Sequence, residues 1–261
     1  MPGTMNQYTD LFVDFDDTLY DTHGNSVIAL QETFEHFQLG RYFPDPQVFY
    51  DSYWEANIDL WTRYSKGEID RDFLIVERFR RPLMASQKLE AESHLNPEQN
   101  SPIPADAPTH CLSCSLSCLL EMNDVFLGYC SSKPGVVDGA HELVDYLQRK
   151  GYRLHMCSNG FHEVQYKKLA ASGLSDAFET VVLSEDAGAN KPSKQFFDYA
   201  FRVTGAKPET TLMIGDNYNT DILGAQQAGL AVIFFNRFPE YPAPAPVDYE
   251  VTSLCDIMKI L

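Results

Sequence analysis

An α/β fold is predicted, with a mostly parallel sheet covered on both faces and a helical segment inserted after its first strand. Three observations predict it. Residues 135–261 alternate short apolar runs with amphipathic stretches that end at glycine. A further buried strand, Leu11-Phe12-Val13, stands apart near the N-terminus. Between them, residues 20–133 carry helical periodicity and no strand-like run.

The elements follow in order. Residues 11–14 form the first strand. Residues 140–150 read as a helix stopped by Gly151, and 152–157 as a strand. A helix over 163–172 stops at Gly173, and 180–183 is the next strand. Ser193 caps a helix that runs to about 204, with Gly205 as its stop. Residues 211–214 and 231–235 are strands flanking a helix over 220–228 that ends at Gly229. Strands separated by helices pair in parallel and are buried on both faces. In the insertion, residues 26–37, 47–65 and 70–80 are candidate helices, and periodicity resumes near Leu119. The stretch 86–118 holds Asn96-Pro97, Ser101-Pro102-Ile103-Pro104 and Ala107-Pro108, and is expected to be a loop or disordered. The expected organisation is a core of residues 1–19 and 134–261 with a helical cap of residues 20–133. A lobe inserted after the first strand would sit above the sheet's ligand-binding end, as a lid does.

Composition narrows the partners. The net charge of -17 repels nucleic-acid backbones, and no basic stripe offsets it. A phosphorylated small molecule needs local compensation, which works because screening limits distant charges to about 10 Å. No run approaches the ~18 apolar residues of a membrane span, and residues 1–10 lack the features of a secretion signal. Six cysteines, three of them bunched at Cys111, Cys114 and Cys118, do not make a disulfide framework for a chain of 261 residues. A cytoplasmic location with reduced thiols is expected. The spacing of the bunched cysteines lacks a nearby fourth ligand beyond His110 and argues against a metal cluster.

Four loops should gather at the C-terminal edge of the sheet, where ligands bind in open α/β folds. The first carries Asp14, Asp16 and Thr18. The second is Ser158-Asn159-Gly160, the third Asn190-Lys191-Pro192-Ser193, and the fourth runs from Gly215-Asp216 to Asp221. Two carboxylates two residues apart repel unless a cation lies between them or one holds a proton. The first escape makes a metal site; the second places a general acid beside a nucleophile. Singly, each loop has an ordinary structural explanation: a turn, a solvated lysine or a helix cap. Their order and spacing together are what carry information.

As a set, Asp14-x-Asp16-x-Thr18, Ser158, Lys191-Pro192 and Gly215-Asp216-x-x-x-x-Asp221 resemble the motifs of the haloacid dehalogenase (HAD) superfamily. The resemblance covers the first strand and nearly all of residues 135–261. It implies a Rossmann-like core with an α-helical cap. It also implies that Asp14 is a nucleophile attacking phosphorus, and that Asp16 protonates the leaving oxygen and then activates water. Thr18, Ser158 and Asn159 are expected to bind the substrate. Lys191 would neutralise the phosphoryl group, and Asp221 would support Lys191 or a metal water. Asp14, Asp216 and the backbone carbonyl of Asp16 would hold Mg²⁺, a set that suits its oxygen preference. As a general acid near neutral pH, Asp16 needs a raised pKa in the bound state. An acid at that position favours phosphate-ester chemistry, because a departing halide takes no proton.

Finer similarity is to the pyrimidine 5'-nucleotidases of that superfamily. It rests on Leu60-Trp61-x-x-Tyr64-x-x-Gly67-x-Ile69, Ser158-Asn159-Gly160-Phe161 and Ser184-Glu185-Asp186-Ala187-Gly188-x-x-Lys191-Pro192. It implies nucleoside monophosphates as substrates. A sugar phosphate or phosphoglycolate phosphatase remains the alternative within the fold. A phospho-receiver or an inactive binding protein are alternatives outside that activity. The aromatic set Tyr50, Tyr53, Trp54, Trp61 and Tyr64 reads mainly as the cap's own core, and Phe161 is a further candidate for stacking on a base. His155, on a strand, reads as a packed residue.

Overall fold

A computed structural model describes residues 8–94, 115–240 and 242–261. In chain order the elements are β1 (Asp10–Val13), α1 (Thr22–His36), α2 (Pro46–Ser65), α3 (Arg71–His94), α4 (Leu116–Ser131), α5 (Ala140–Arg149), β2 (Arg153–Ser158), α6 (His162–Ala171), β3 (Thr180–Leu183), α7 (Ser184–Ala187), α8 (Lys194–Thr204), β4 (Thr211–Gly215), α9 (Leu223–Gln227), β5 (Ala231–Phe235), β6 (Tyr249–Val251) and α10 (Leu254–Ile257). The chain divides into two compact units, residues 1–26 with 130–261, and residues 27–129.

In the first unit six parallel strands lie in the order β3-β2-β1-β4-β5-β6. β1 pairs with β2 on one side and β4 on the other, with Val13 opposite Met156 and Ile214. Strand order therefore reverses at β1 and β4. The carboxyl ends of those two strands border the crevice where such sheets bind ligands. The period-2 alternation of the strands sends their side chains to two cores. Leu11, Val13, Leu154, Met156, Leu212, Ile214 and Ile233 pack with Leu143 and Leu147. Phe12, Cys157, Val182, Met213 and Val232 pack with Phe196, Phe197 and Ala200.

The flanking helices form for local reasons. α5 buries Ala140, Leu143, Val144 and Leu147, an i, i+3, i+4, i+7 stripe. α8 begins where the Ser193 hydroxyl accepts from the Phe196 N–H at 3.3 Å, and ends at Gly205 in the left-handed conformation. Several elements differ from the sequence expectation, α7 and the later start of α9 among them. β1 ends at Val13, so Asp14 already lies beyond the strand. The last strand, Tyr249–Val251, has no counterpart in the sequence expectation; it is three residues long and mostly exposed, too short to show a period.

The second unit is helical. α2 starts at Pro46, with the Asp45 carboxylate accepting from the Gln47 N–H at 2.9 Å. Its buried face, Phe49, Tyr53, Ala56 and Leu60, meets α3. Tyr53 lies 5.4 Å from both Phe79 and Phe126. Of the five aromatic residues singled out in the sequence, Tyr53 is buried and the other four are half-buried. α3 extends to His94, well past residue 80, through part of the stretch expected to be a loop. Residues 95–114 lie outside the described residues, and with them Cys111 and Cys114. No helix among the described residues is long and apolar enough to cross a membrane.

At the amino end of the strands, Asp10 is buried and accepts from Arg153 Nη2 at 2.8 Å, with His155 Nε2 at 3.0 Å. His155 is thus a packed residue, as its strand position suggests. Removing the carboxylate leaves a buried imidazole nitrogen without its partner, a loss of about 1–3 kcal/mol. Asp10→Ala is therefore expected to lower the stability measured by chemical denaturation by about that amount. An unchanged denaturation midpoint would contradict the structural role.

Candidate active site

The site is built at the carboxyl ends of β1, β2 and β4. Lys191 comes from the loop before α8 and is 1 % exposed. Its ammonium donates to Asp14 Oδ1 at 2.6 Å and to the Cys157 carbonyl at 2.6 Å, and lies 2.7 Å from Asp221 Oδ1. An ammonium has three hydrogens, and each has an acceptor here. Asp14 belongs to the end of β1, Cys157 to β2 and Asp221 to the segment after β4, so one side chain ties three loops together.

Asn159 holds the backbone of that lysine. Its Nδ2 donates to the Lys191 carbonyl at 3.0 Å, and its Oδ1 accepts from the Lys191 N–H at 2.8 Å. The amide expected to bind substrate is thereby occupied in fixing residue 191. Thr18 is also turned inward. Its hydroxyl lies 3.0 Å from Asp14 Oδ2 and 3.2 Å from Asp216 Oδ1, and it accepts from the Asp216 N–H at 3.1 Å. Thr18 is fully buried, so it links two carboxylates rather than facing outward. Ser158 Oγ accepts from the Gly160 N–H at 3.0 Å and from Gln165 Nε2 at 2.6 Å.

Asp221 turns back over β4. Its Oδ2 accepts from the Asn217 N–H at 3.0 Å. This return crosses Gly215, where a Cβ would stand 2.5 Å from Asp221 Oδ2 and 2.6 Å from its Cβ. Gly160 plays the same part for Gln165, whose Nε2 would meet a Cβ at 2.0 Å. Glycine is needed at both positions because a side chain already fills the space.

Oxygen atoms of Asp14, Asp216 and Asp221 all lie within 4.8 Å of one another. Lys191 is the ammonium that faces this cluster. Burial and the neighbouring carboxylates Asp221 and Asp16 push the Asp14 carboxyl up to about 7, although Lys191 opposes them. Burial, then the charges of Asp14, Asp221 and Asp17, raise Asp216 well above the ordinary carboxylate range. Lys191 moves upward too, because Asp14 and Asp221 outweigh the cost of its burial. A largely buried group of hard oxygen donors with a deficit of positive charge fits a divalent cation such as magnesium. Asp216 is reachable through a cavity of about 250 Å³ that is also lined by Tyr218, Asn236, Arg237 and Phe238.

Asp16 points elsewhere. Its Oδ1 pairs with the Lys168 ammonium and accepts from the Thr22 hydroxyl at 2.5 Å, and its Oδ2 accepts from Gln165 Nε2. Burial pushes Asp16 upward, but the Lys168 charge and these hydrogen bonds prevail and hold it below the usual carboxylate range. The raised value that a general acid needs is not the state of this structure. The side chain of Asp16 is also outside the carboxylate cluster, so any metal contact from this residue falls to its backbone carbonyl. Phe161 is 2 % exposed, which removes it as a stacking surface.

Sequence reasoning missed Lys168 and Gln165. The available signal was their position. They share the buried stripe of α6 with Val164 and Leu169, where two polar residues are unexpected.

The chain resembles known proteins over nearly its whole length. A family model for haloacid dehalogenase-like hydrolases matches residues 11–229. YfnB of Bacillus subtilis (strain 168), a HAD-hydrolase by name, is 30% identical over 98% of this chain and 97% of its own. The pyrimidine 5'-nucleotidase PynA of Streptococcus pneumoniae (strain ATCC BAA-255 / R6) is 28% identical over 97% of this chain and 95% of its own. A crystal structure of YfnB bound to magnesium superposes with a TM-score of 0.77 at 28% identity, covering 97% of this chain and 98% of that one.

Gly215→Ala is expected to displace Asp221 and cost about 1–3 kcal/mol through overpacking. Thermal unfolding measures it; a variant as stable as the parent would show that Asp221 can move at no cost. With its fold, its glycine-framed loops and its match to the family model, the chain belongs to the haloacid dehalogenase-like hydrolases.

Proposed function

We propose that the protein is a phosphomonoester hydrolase that works through an aspartyl-phosphate on Asp14, with pyrimidine nucleoside 5'-monophosphates as its substrates. The observation that carries the reading is the gathering of Asp14, Asp216 and Lys191 on one side and Asp16 with Ser158 on the other. Gln165 Nε2 touches both Asp16 and Ser158. A carboxylate nucleophile and a second carboxylate beside a hydroxyl are the parts that phosphoryl transfer to an aspartate requires. The nucleotide part rests on full-length similarity to a pyrimidine 5'-nucleotidase.

In the first half-reaction an Asp14 oxygen forms a bond to phosphorus and the bond from phosphorus to the ester oxygen breaks. Asp16 gives its proton to the departing oxygen. A phosphate dianion arriving beside Ser158 raises the proton affinity of Asp16 by like-charge repulsion, which opposes the pull of Lys168. In the second half-reaction the Asp16 carboxylate takes a proton from water as that water attacks the aspartyl-phosphate, releasing phosphate and restoring Asp14. The ionised Asp16 of the structure is the form this second step uses. Lys191 has its hydrogens engaged by protein oxygens, so it orients Asp14 and offsets its charge rather than gripping the phosphate. Ser158 supplies a hydroxyl to a phosphate oxygen. Asp221 and Asn159 hold Lys191, and Thr18 holds Asp14 against Asp216. Magnesium would be held by Asp14, Asp216 and the Asp16 carbonyl, and when bound it supplies charge neutralisation for the phosphoryl group.

A panel of phosphate esters, assayed for phosphate release, tests the substrate class. Pyrimidine nucleoside monophosphates should be turned over fastest, and negligible turnover of every nucleotide would end the nucleotidase reading. Asp14→Asn should abolish release. Asp16→Asn should lower kcat/KM for alkyl esters by about 10²–10⁴.

The metal has its own signature in stability. A carboxyl whose folded pKa is raised binds more protons folded than unfolded, so its contribution to stability is lost as pH rises from the ordinary carboxylate range through its folded value. For Asp14 that window closes near pH 7. Magnesium should therefore raise the Tm more at pH 8 than at pH 5.5, relative to EDTA. At about a hundred times its Kd it adds about 2.7 kcal/mol. A Tm difference between magnesium and EDTA that does not grow with pH would refute the assignment.

A further inference from the structure

Lys168 is a lysine with 6 % exposure on a helix that turns Val164, Gln165 and Leu169 inward beside it. Burying an ammonium is costly unless it is paired, and a methionine of similar length would fill the same space without that cost. The pairing is specific. Lys168 Nζ forms the ion pair with Asp16 Oδ1, lies 3.5 Å from Thr22 Oγ1 and sits 5.2 Å from the centroid of the Tyr20 ring. Gln165, three residues earlier on the same face, holds Asp16 Oδ2 and passes on to Ser158. Both carboxylate oxygens are thus gripped from α6, one by each side chain. The grip matters because Asp16 lies beyond β1, where its backbone makes an isolated bridge to Tyr20 rather than a strand ladder.

We propose that Lys168, together with Gln165, is the positioning device for proton transfer, holding the Asp16 carboxylate in line with the Ser158 end of the site. The inference rests on the phosphomonoesterase reading. It assigns to α6 a role in the bond-breaking step, although neither residue touches the reacting phosphorus.

Leaving-group dependence separates this from a packing role. The value of kcat/KM reports the steps up to departure of the leaving group. Departure needs a proton for an alkyl phosphate, whereas a p-nitrophenolate leaves unaided. Purified Lys168→Met, Lys168→Arg, Gln165→Leu and Asp16→Asn, each checked for folding by thermal melting, would be assayed with p-nitrophenyl phosphate and with a nucleoside 5'-monophosphate. Misplacing the acid should cost Lys168→Met about tenfold or more on the nucleotide. The aryl ester should be nearly unaffected, so the ratio moves in the direction set by Asp16→Asn. Lys168→Arg should recover most of the loss. Equal losses on both esters, or no loss on the nucleotide, would overturn the inference. If Lys168→Met does not fold, Gln165→Leu carries the same comparison through the other carboxylate oxygen and is read by the same criteria. Failure of the parent protein to cleave either ester would instead overturn the hydrolase reading.

Discussion

The site depends on one ammonium. Lys191 joins the ends of β1 and β2 to the segment after β4 through three oxygens at 2.6 to 2.7 Å. These three segments come from distant parts of the chain, and the strand-order reversal brings their ends to one crevice. Topology alone brings them near; the lysine sets the distances. Its backbone is gripped by both ends of the Asn159 amide, and its partner Asp221 is admitted by the missing side chain of Gly215. Removing the ammonium would leave buried carboxylates facing one another without a counter-charge, which is costly in a protein interior.

A second consequence is electrical. The chain carries a net charge of -17, and its crevice adds a cluster of carboxylates to that background. What distinguishes Asp14 from Asp16 is the company each keeps. Asp14 shares one lysine with Asp221, and burial and the like charges of Asp221 and Asp16 drive it upward. Asp16 has Lys168 at ion-pair distance and two further donors, and is driven downward. Two carboxylates only two residues apart thus acquire opposite proton affinities. Environments that push paired titratable groups apart give two neighbouring carboxyls different protonation behaviour.

Much of this was legible in the sequence because the core obeys simple periods. Strands such as 231–235 are apolar throughout, and helices such as α5 carry their stripe openly. The four loops were legible because each carries a chemically costly residue, three directly after a strand and that of Lys191 after α7. What the sequence did not show is tertiary. Asn159 reads as part of a turn, and only the folded chain reveals that Lys191 lies against it. Gln165 and Lys168 sit at the spacing of the buried stripe of α6, but only the folded chain shows that they turn toward Asp16. β6 is invisible because three residues after a proline-rich loop carry no period. α3 runs past residue 80 through Pro82, a residue that ordinarily ends or kinks a helix, so the sequence was a poor guide to its end.

The divergence of Asp14 and Asp16 has a backbone origin. On a continuing strand, residues two apart would share a face. β1 stops at Val13, and the chain then folds on itself: the Leu19 and Tyr20 N–H groups both bond to the Phe15 carbonyl, at 3.0 and 2.9 Å. Phe15 is fully buried and anchors the turn between the two acids. Asp17 completes it with φ of 62°, a left-handed conformation that costs a residue with a Cβ about 1–2 kcal/mol. Arg237, beyond β5, holds that residue in place. It donates to Asp17 Oδ1 at 2.7 Å and to its carbonyl at 3.4 Å, and reaches Asp21 Oδ1 at 3.2 Å. A glycine at 17 would ease the backbone but forfeit the carboxylate through which Arg237 secures the turn. The strain is therefore part of the construction: a pinned, left-handed corner is what lets one short loop present its first acid to Lys191 and its second to α6.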